Sequence, residues 1–211
     1  AIAAGNTAVI KPSAYSPASS AIIANIISRV FPEEYVAVVE GGREVNSDLL
    51  KLKFDYIFFT GSKTVGKLVM KSAAEHLTPV TLELGGKSPA IVTGDADMKV
   101  TADRIAFGKF LNCGQTCVAP DYILVHKDAE EEFVERLSES VRKMFGESPL
   151  KNESYCKIIN RKHFDRLVGI LDEIRLNGLG KSISGGETDS SNGKISPAIV
   201  RLGSYSNTKV N

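Results

Sequence analysis

One acid and one thiol in this chain sit in settings that favour chemistry. Glu83 opens Glu83-Leu84-Gly85-Gly86-Lys87, and Cys117 lies within Asn112-Cys113-Gly114-Gln115-Thr116-Cys117-Val118-Ala119-Pro120-Asp121-Tyr122. A cysteine is the strongest side-chain nucleophile near neutral pH once part of it is thiolate, and a carboxylate can activate the water that later hydrolyses an acyl-enzyme. The pair therefore suggests thioester chemistry. Each residue also has a plainer reading. Glu83 ends an apolar run, where burial would raise its pKa towards that of a general base, but a strand-end carboxylate can simply pair with Lys87. Free thiols are often packing residues, whereas Gly114, Gln115 and Thr116 form a polar, flexible approach and Pro120 follows, which favours an exposed loop. Cys113 reads as incidental, with a disulfide to Cys117 on oxidation as a minor alternative. No histidine or second thiol pair lies close in sequence, so no metal site is expected.

Gly61-Ser62-Lys63-Thr64-Val65-Gly66-Lys67 follows a β-branched and aromatic run and opens a helical pattern. Backbone N–H groups and the helix dipole at such a junction can hold a pyrophosphate. A tight turn without a ligand fits the spacing equally well. The segment matches a P-loop until Leu68, where that motif requires Ser or Thr for magnesium, which counts against a nucleotidase. Lys11 ends the first strand and would stand at the carboxyl edge of a sheet, where open α/β folds bind ligands. No Gly-x-Ser-x-Gly elbow is present, so a serine hydrolase is unsupported.

The elements that would position these residues alternate. Strands are expected at 7–10, 36–39, 56–59 and 80–82, with helices from Pro17 behind a Ser16 cap, over 44–52 and over 64–75. Ile22, Ile23, Ile26, Ile27 and Val30 fall on one face of the first helix, which Phe31-Pro32 should end. This order implies a parallel sheet covered on both faces. Beyond Gly85, strands are expected at 89–92 and 122–125 around a helix over 98–111. Asp128 and Glu131 suggest a capping box for a helix carrying Phe133, Leu137, Val141 and Met144, stopped by Gly146. A last helix carries Phe164, Leu167, Val168, Leu171 and Ile174 and closes at Gly178. The segment 185–193 reads as an exposed turn region.

Composition narrows the classes. The chain has 211 residues, 43% hydrophobic content and a net charge of +1. Charges of both signs are interspersed, so nucleic acid is not an expected partner. No apolar run is long enough to span a bilayer. Three cysteines without dense spacing favour reduced thiols in a cytoplasmic setting. Cys156, His76, His126 and His163 read as structural or surface residues.

The two opening segments resemble the paired signatures of the aldehyde dehydrogenase superfamily. His76-Leu77-Thr78-Pro79-Val80-Thr81-Leu82 and Cys117-Val118-Ala119-Pro120-Asp121-Tyr122 are most similar to its class 3, fatty or aromatic aldehyde, branch. The resemblance runs from Ala1 to about Val200. It implies an internal fragment, with a Rossmann-like dinucleotide-binding domain over 1–84 leading into a catalytic domain over 85–211, both incomplete. The activity implied is oxidation of an aldehyde to a carboxylic acid with NAD or NADP. By this resemblance Cys117 is the nucleophile, Glu83 the general base, and the nicotinamide lies between them. Lys11, Gly61, Ser62, Gly66, Leu84 and Gly85 are implied to bind the cofactor, Gly61, Ser62 and Gly66 through a variant phosphate loop with fewer glycines. Three residues after Lys11 the family usually has a glutamate on the ribose hydroxyls, whereas this chain has Ala14, which eases acceptance of a 2′-phosphate. An upstream oxyanion-hole asparagine and a downstream Glu-Ile-Phe-Gly-Pro segment are not in this sequence, so the polypeptide alone is expected to be inactive. A homodimer is implied for the full-length protein, with membrane attachment through a further tail left open. A P-loop-like nucleotide module and a non-catalytic interaction fragment are the competing readings.

Overall fold

In a computed structural model, residues 1–178 and 180–202 are described. The chain divides into two compact units, Ala1–Leu84 and Gly85–Asn211.

The first unit alternates strand and helix. β1 (Ala8–Ile10) and β2 (Val36–Val38) form a parallel ladder with Ala8 opposite Val36. They are joined through α1 (Pro17–Val30), which packs against β2. After α2 (Arg43–Leu49), β3 (Ile57–Thr60) and β4 (Val80–Glu83) form a second parallel ladder, with Thr60 opposite Glu83, joined through α3 (Lys63–Ala74). The α/β class and the parallel sense agree with the sequence pattern. The expected continuous sheet differs: among the described residues the hydrogen bonds join strands only in pairs.

Helix α1 departs furthest from its sequence pattern. Its buried residue is Ser20, whose hydroxyl donates to the Ser13 carbonyl at 2.9 Å. Ile22 and Val30 are 60% and 63% exposed, and Ile23 and Ile26 are also exposed. Periodicity identifies the helix and its apolar face, but most of that face stays exposed in this unit. Ser16 makes no side-chain cap bond, so Pro17 at the first helical position carries the start.

The second unit holds the larger core. β5 (Ser88–Val92) pairs in parallel with β6 (Pro120–Val125) across α4 (Met98–Phe110). The register changes at the start of this ladder: Ser88 faces Pro120 and Pro89 faces Tyr122. α5 (Glu130–Phe145) packs on α4, and Val92, Ala102, Ala106, Phe110, Phe133, Leu137 and Val141 form one buried cluster. Ala102 and Ala106 are fully buried, and their small side chains let α5 approach closely. Met144, expected on this face, is exposed, while Phe145 packs against the cluster. The expected capping box is absent. Asp128 sits in a short 3-10 turn ahead of α5, and its N–H donates to His126 Nδ1 at 3.4 Å.

α6 (Arg161–Leu176) buries Phe164 and Ile174, and Gly178 takes φ +61° beyond its end. β7 (Gly180–Ser184) is antiparallel to β10 (Ile199–Leu202), flanking the short hairpin of β8 (Thr188–Asp189) and β9 (Lys194–Ile195). Within the segment expected to be an exposed turn, 185–193, residues 190–193 form that turn and 190–192 are exposed; β8 is the one strand inside it, and the chain then enters β9, whose Ile195 is buried with Ile158 and Phe164. Among the described residues no helix is long and apolar enough to cross a membrane.

Candidate active site

In the first unit, the end of β4 and the start of α3 come together. The Gly61 N–H donates to the Glu83 carbonyl at 2.9 Å, and the Thr60 hydroxyl donates to the same oxygen at 3.1 Å. These bonds fix the backbone of Glu83 and leave its side chain exposed, so the burial expected from the apolar run is not supplied by β4. Lys87 does not give the plain ion pair considered for Glu83; it pairs with Asp121 at 3.2 Å.

Ser62 caps α3, its hydroxyl accepting from the Val65 N–H at 3.3 Å. The first turn carries no acid, and the exposed Lys63 and Lys67 flank it. Gly66 is buried, and a Cβ there would lie 3.0 Å from Leu84 Cδ2, so glycine lets α3 settle onto β4. Close helix–strand packing is the task of a late glycine in dinucleotide-binding turns. At Gly61 a Cβ would meet the Phe59 ring at 2.6 Å. An exposed N-terminus free of acids, with lysines nearby, is a donor set that fits a pyrophosphate. Leu68, where a P-loop needs a hydroxyl, is an exposed leucine. Lys11 follows β1, and its ammonium donates to the neighbouring Pro12 carbonyl. Among the described residues no hydrogen bond or ion pair joins it to the others.

In the second unit, Cys117 lies in a tight turn between α4 and β6. The Ala119 N–H donates to the Thr116 carbonyl at 3.2 Å, which makes Cys117 and Val118 the central residues of a β-turn. Cys117 is exposed, and Ala119 is buried and anchors the turn. No acceptor among the described residues takes the Cys117 N–H. Gly86, beside the expected Gly85, presses on this turn: a Cβ on Gly86 would stand 2.6 Å from the Cys117 carbonyl oxygen. Gly85 itself is exposed, with open space where a Cβ would be. Gly86→Ala must therefore displace the Cys117 backbone. We expect Gly86→Ala to lower Tm clearly and Gly85→Ala to leave it near wild type, and thermal melts of the two variants check this.

The approach to Cys117 is more constrained than its composition suggested. Asn112, Cys113 and Gly114 take φ of 54°, 55° and 75°, a left-handed turn rare for residues with a Cβ. Gln115 bonds to residues more than forty positions away. The composition of this stretch suggests flexibility, because nothing local announces partners that distant. Cys113 turns from Cys117 towards Cys156, its thiol donating to the Cys156 carbonyl at 2.8 Å. Burial pushes the Cys113 thiol above its usual range, a hydrogen bond to Tyr155 acting against this. All three cysteines are free. Beneath the turn, burial holds the Lys109 ammonium below the usual lysine range, with Asp121 opposing and Lys87 reinforcing that shift.

Comparison with known proteins identifies the family. The match to the Aldehyde dehydrogenase family covers residues 1–207. Over 200 residues the chain is 46% identical to the 4,4'-diaponeurosporen-aldehyde dehydrogenase of Staphylococcus aureus, covering 95% of this chain and 43% of that protein. It is 43% identical over 201 residues to aldehyde dehydrogenase family 3 member A2 of Macaca fascicularis, covering 95% and 40%. The fold matches Staphylococcus aureus AldH in a substrate-bound state, with TM-score 0.87, 45% identity and coverage of 94% and 43%. It also matches a P. syringae indole-3-acetaldehyde dehydrogenase in complex with NAD+, with TM-score 0.84, 26% identity and coverage of 95% and 42%. The chain thus spans about two fifths of the length of these relatives. A P-loop module is not favoured by these matches. The chain belongs to the aldehyde dehydrogenase family, in its class 3 branch.

Proposed function

We propose that the whole protein oxidises an aldehyde to a carboxylic acid with a nicotinamide cofactor, Cys117 serving as nucleophile and Glu83 as general base. The observation that carries this reading is the turn at Cys117: an exposed thiol between a buried Ala119 and a glycine pressed against its carbonyl, in a chain of this family. The Cys117 thiolate forms a C–S bond with the aldehyde carbon, and the carbonyl oxygen becomes an oxyanion. The Cys117 N–H, which has no acceptor among the described residues, is available to donate to it. When bound, NAD or NADP supplies the hydride acceptor. The acyl group is then a thioester, and the Glu83 carboxylate takes a proton from the water that attacks it. The C–S bond breaks, and the acid leaves with the thiolate restored.

On this reading residues 1–84 serve the dinucleotide and residues 85–211 the chemistry. Gly61, Ser62 and the first turn of α3 would hold the pyrophosphate, with Gly66 and Leu84 setting the helix on its strand and Gly85 carrying the chain past it. Lys11 would meet the adenosine ribose. Support for a nicotinamide comes from the NAD+ held by the P. syringae relative. The three free thiols support a cytoplasmic address. The homodimer rests on the resemblance alone, and sedimentation of the whole protein tests it.

Ala14 bears on the choice of cofactor. It is exposed in the turn after β1, so a larger side chain fits there. Without a carboxylate at this position, NAD and NADP should both be used. Ala14→Glu adds repulsion against a 2′-phosphate worth about 1–3 kcal/mol, or roughly ten- to a hundredfold in preference for NAD. The ratio of kcat/KM values for the two cofactors measures it. An unmoved ratio would separate position 14 from the ribose and weaken the role given to Lys11.

A further inference from the structure

We infer that Gln115 is a positioning residue for Cys117, fastening the nucleophile's turn to residues 157–159; the inference rests on Cys117 being the nucleophile. Cys117 has no side-chain hydrogen bond among the described residues, so its place is inherited from the backbone on either side. On the C-terminal side, buried Ala119 and Gly86 provide that constraint. On the N-terminal side the chain runs through the left-handed turn at Asn112, Cys113 and Gly114, a conformation that persists only where its surroundings enforce it.

Gln115 is the residue that does so. Its backbone N–H and its Nε2 both donate to the Asn112 carbonyl at 3.1 Å, which closes the turn. The same Nε2 donates to the Lys157 carbonyl at 3.2 Å, while Oε1 accepts from the Ile159 N–H at 2.9 Å. One amide thus meets a carbonyl and an N–H two residues apart, as a strand edge would. Glutamate lacks the donor, lysine lacks the acceptor, and asparagine is one methylene shorter. The anchor is firm. Ile158 is buried with Phe164 and Ile195, and its N–H donates to the Gly193 carbonyl at 2.8 Å. Cys113 packs against the same cluster. Rigidity therefore passes from that cluster through one side chain to the residue two places before the thiol. Attack on a carbonyl requires the sulfur to be held within about 3–3.5 Å of the carbon, so this fastening acts on the acylation step.

The test compares Gln115→Ala and Gln115→Glu in the whole protein, reading amide hydrogen exchange at Ile159, the pre-steady-state burst of reduced nicotinamide, the deacylation rate and Tm. Gln115→Ala should speed exchange at Ile159 and slow the burst about ten- to a hundredfold, leaving deacylation and the KM for cofactor near wild type. Gln115→Glu keeps an acceptor for Ile159 and loses both carbonyl partners, so exchange should stay slow while the burst is still slowed. An unchanged burst rate constant in both variants overturns the role. So does a loss of burst amplitude that only tracks a fall in folded fraction. Near-normal turnover in Cys117→Ala overturns the nucleophile reading and this role with it. Faster Ile159 exchange in Gln115→Ala would then remain as a purely structural tie.

Discussion

Cys117→Ala should abolish aldehyde oxidation by the whole protein while leaving its Tm nearly unchanged. The thiol is exposed and its side chain makes no hydrogen bond among the described residues, so removing sulfur deletes the nucleophile and little else. Cys113→Ala should do the reverse. That thiol donates to the Cys156 carbonyl and packs against Ile158 and its neighbours, so its loss should cost about 1–2 kcal/mol of stability with turnover largely retained. Steady-state turnover and thermal melts of the two variants separate chemistry from packing. Near-normal turnover in Cys117→Ala, with loss in Cys113→Ala, would move the nucleophile to the other thiol.

The second large effect concerns Glu83. Its backbone oxygen receives bonds from Gly61 and Thr60, and glutamine at 83 keeps both. Glu83→Gln therefore removes a proton acceptor without disturbing β4. General-base catalysis is worth about a hundred- to ten-thousandfold, and that loss should fall on thioester hydrolysis. The burst of reduced nicotinamide should survive at near wild-type rate, followed by a slow steady state in which acyl-enzyme accumulates and is visible by intact mass. A variant with its burst lost and deacylation still fast would remove the general-base role.

Local chemistry made much of this legible. The strand–helix alternation, the parallel sense and the family followed from apolar runs, turn residues and the segments around Glu83 and Cys117, because each depends on neighbours in sequence. What escaped depends on distant partners. How much of the α1 apolar face is covered is not written in α1, and its isoleucines look like a core until their exposure is seen. Gln115 belongs to the same class, since its partners lie 42 and 44 positions away. His126, rather than an acidic residue at the start of α5, receives the Asp128 N–H because a 3-10 turn shifts the helix start. Gly86 lies three residues after Glu83 with nothing local to mark it, and its close approach to Cys117 appears only once β5 and β6 lie side by side.

The register change at the head of that ladder has a consequence for folding. Ser88 faces Pro120 and Pro89 faces Tyr122, so Asp121 is an extra residue in β6, and its carboxylate is the one held by Lys87. Such a bulge pins strand alignment, and a slip by one position would exchange the two faces of β6. It would also draw the thiol along the strand axis by about 3.3 Å, the rise of one strand residue. The ladder joins segments about thirty residues apart, so closing it carries a loop-entropy cost that purely local contacts avoid. The Cys117 sulfur therefore gains its fixed backbone setting only when the crossover locks, and a chain caught before that moment carries the same cysteine with no partner strand to hold it in place.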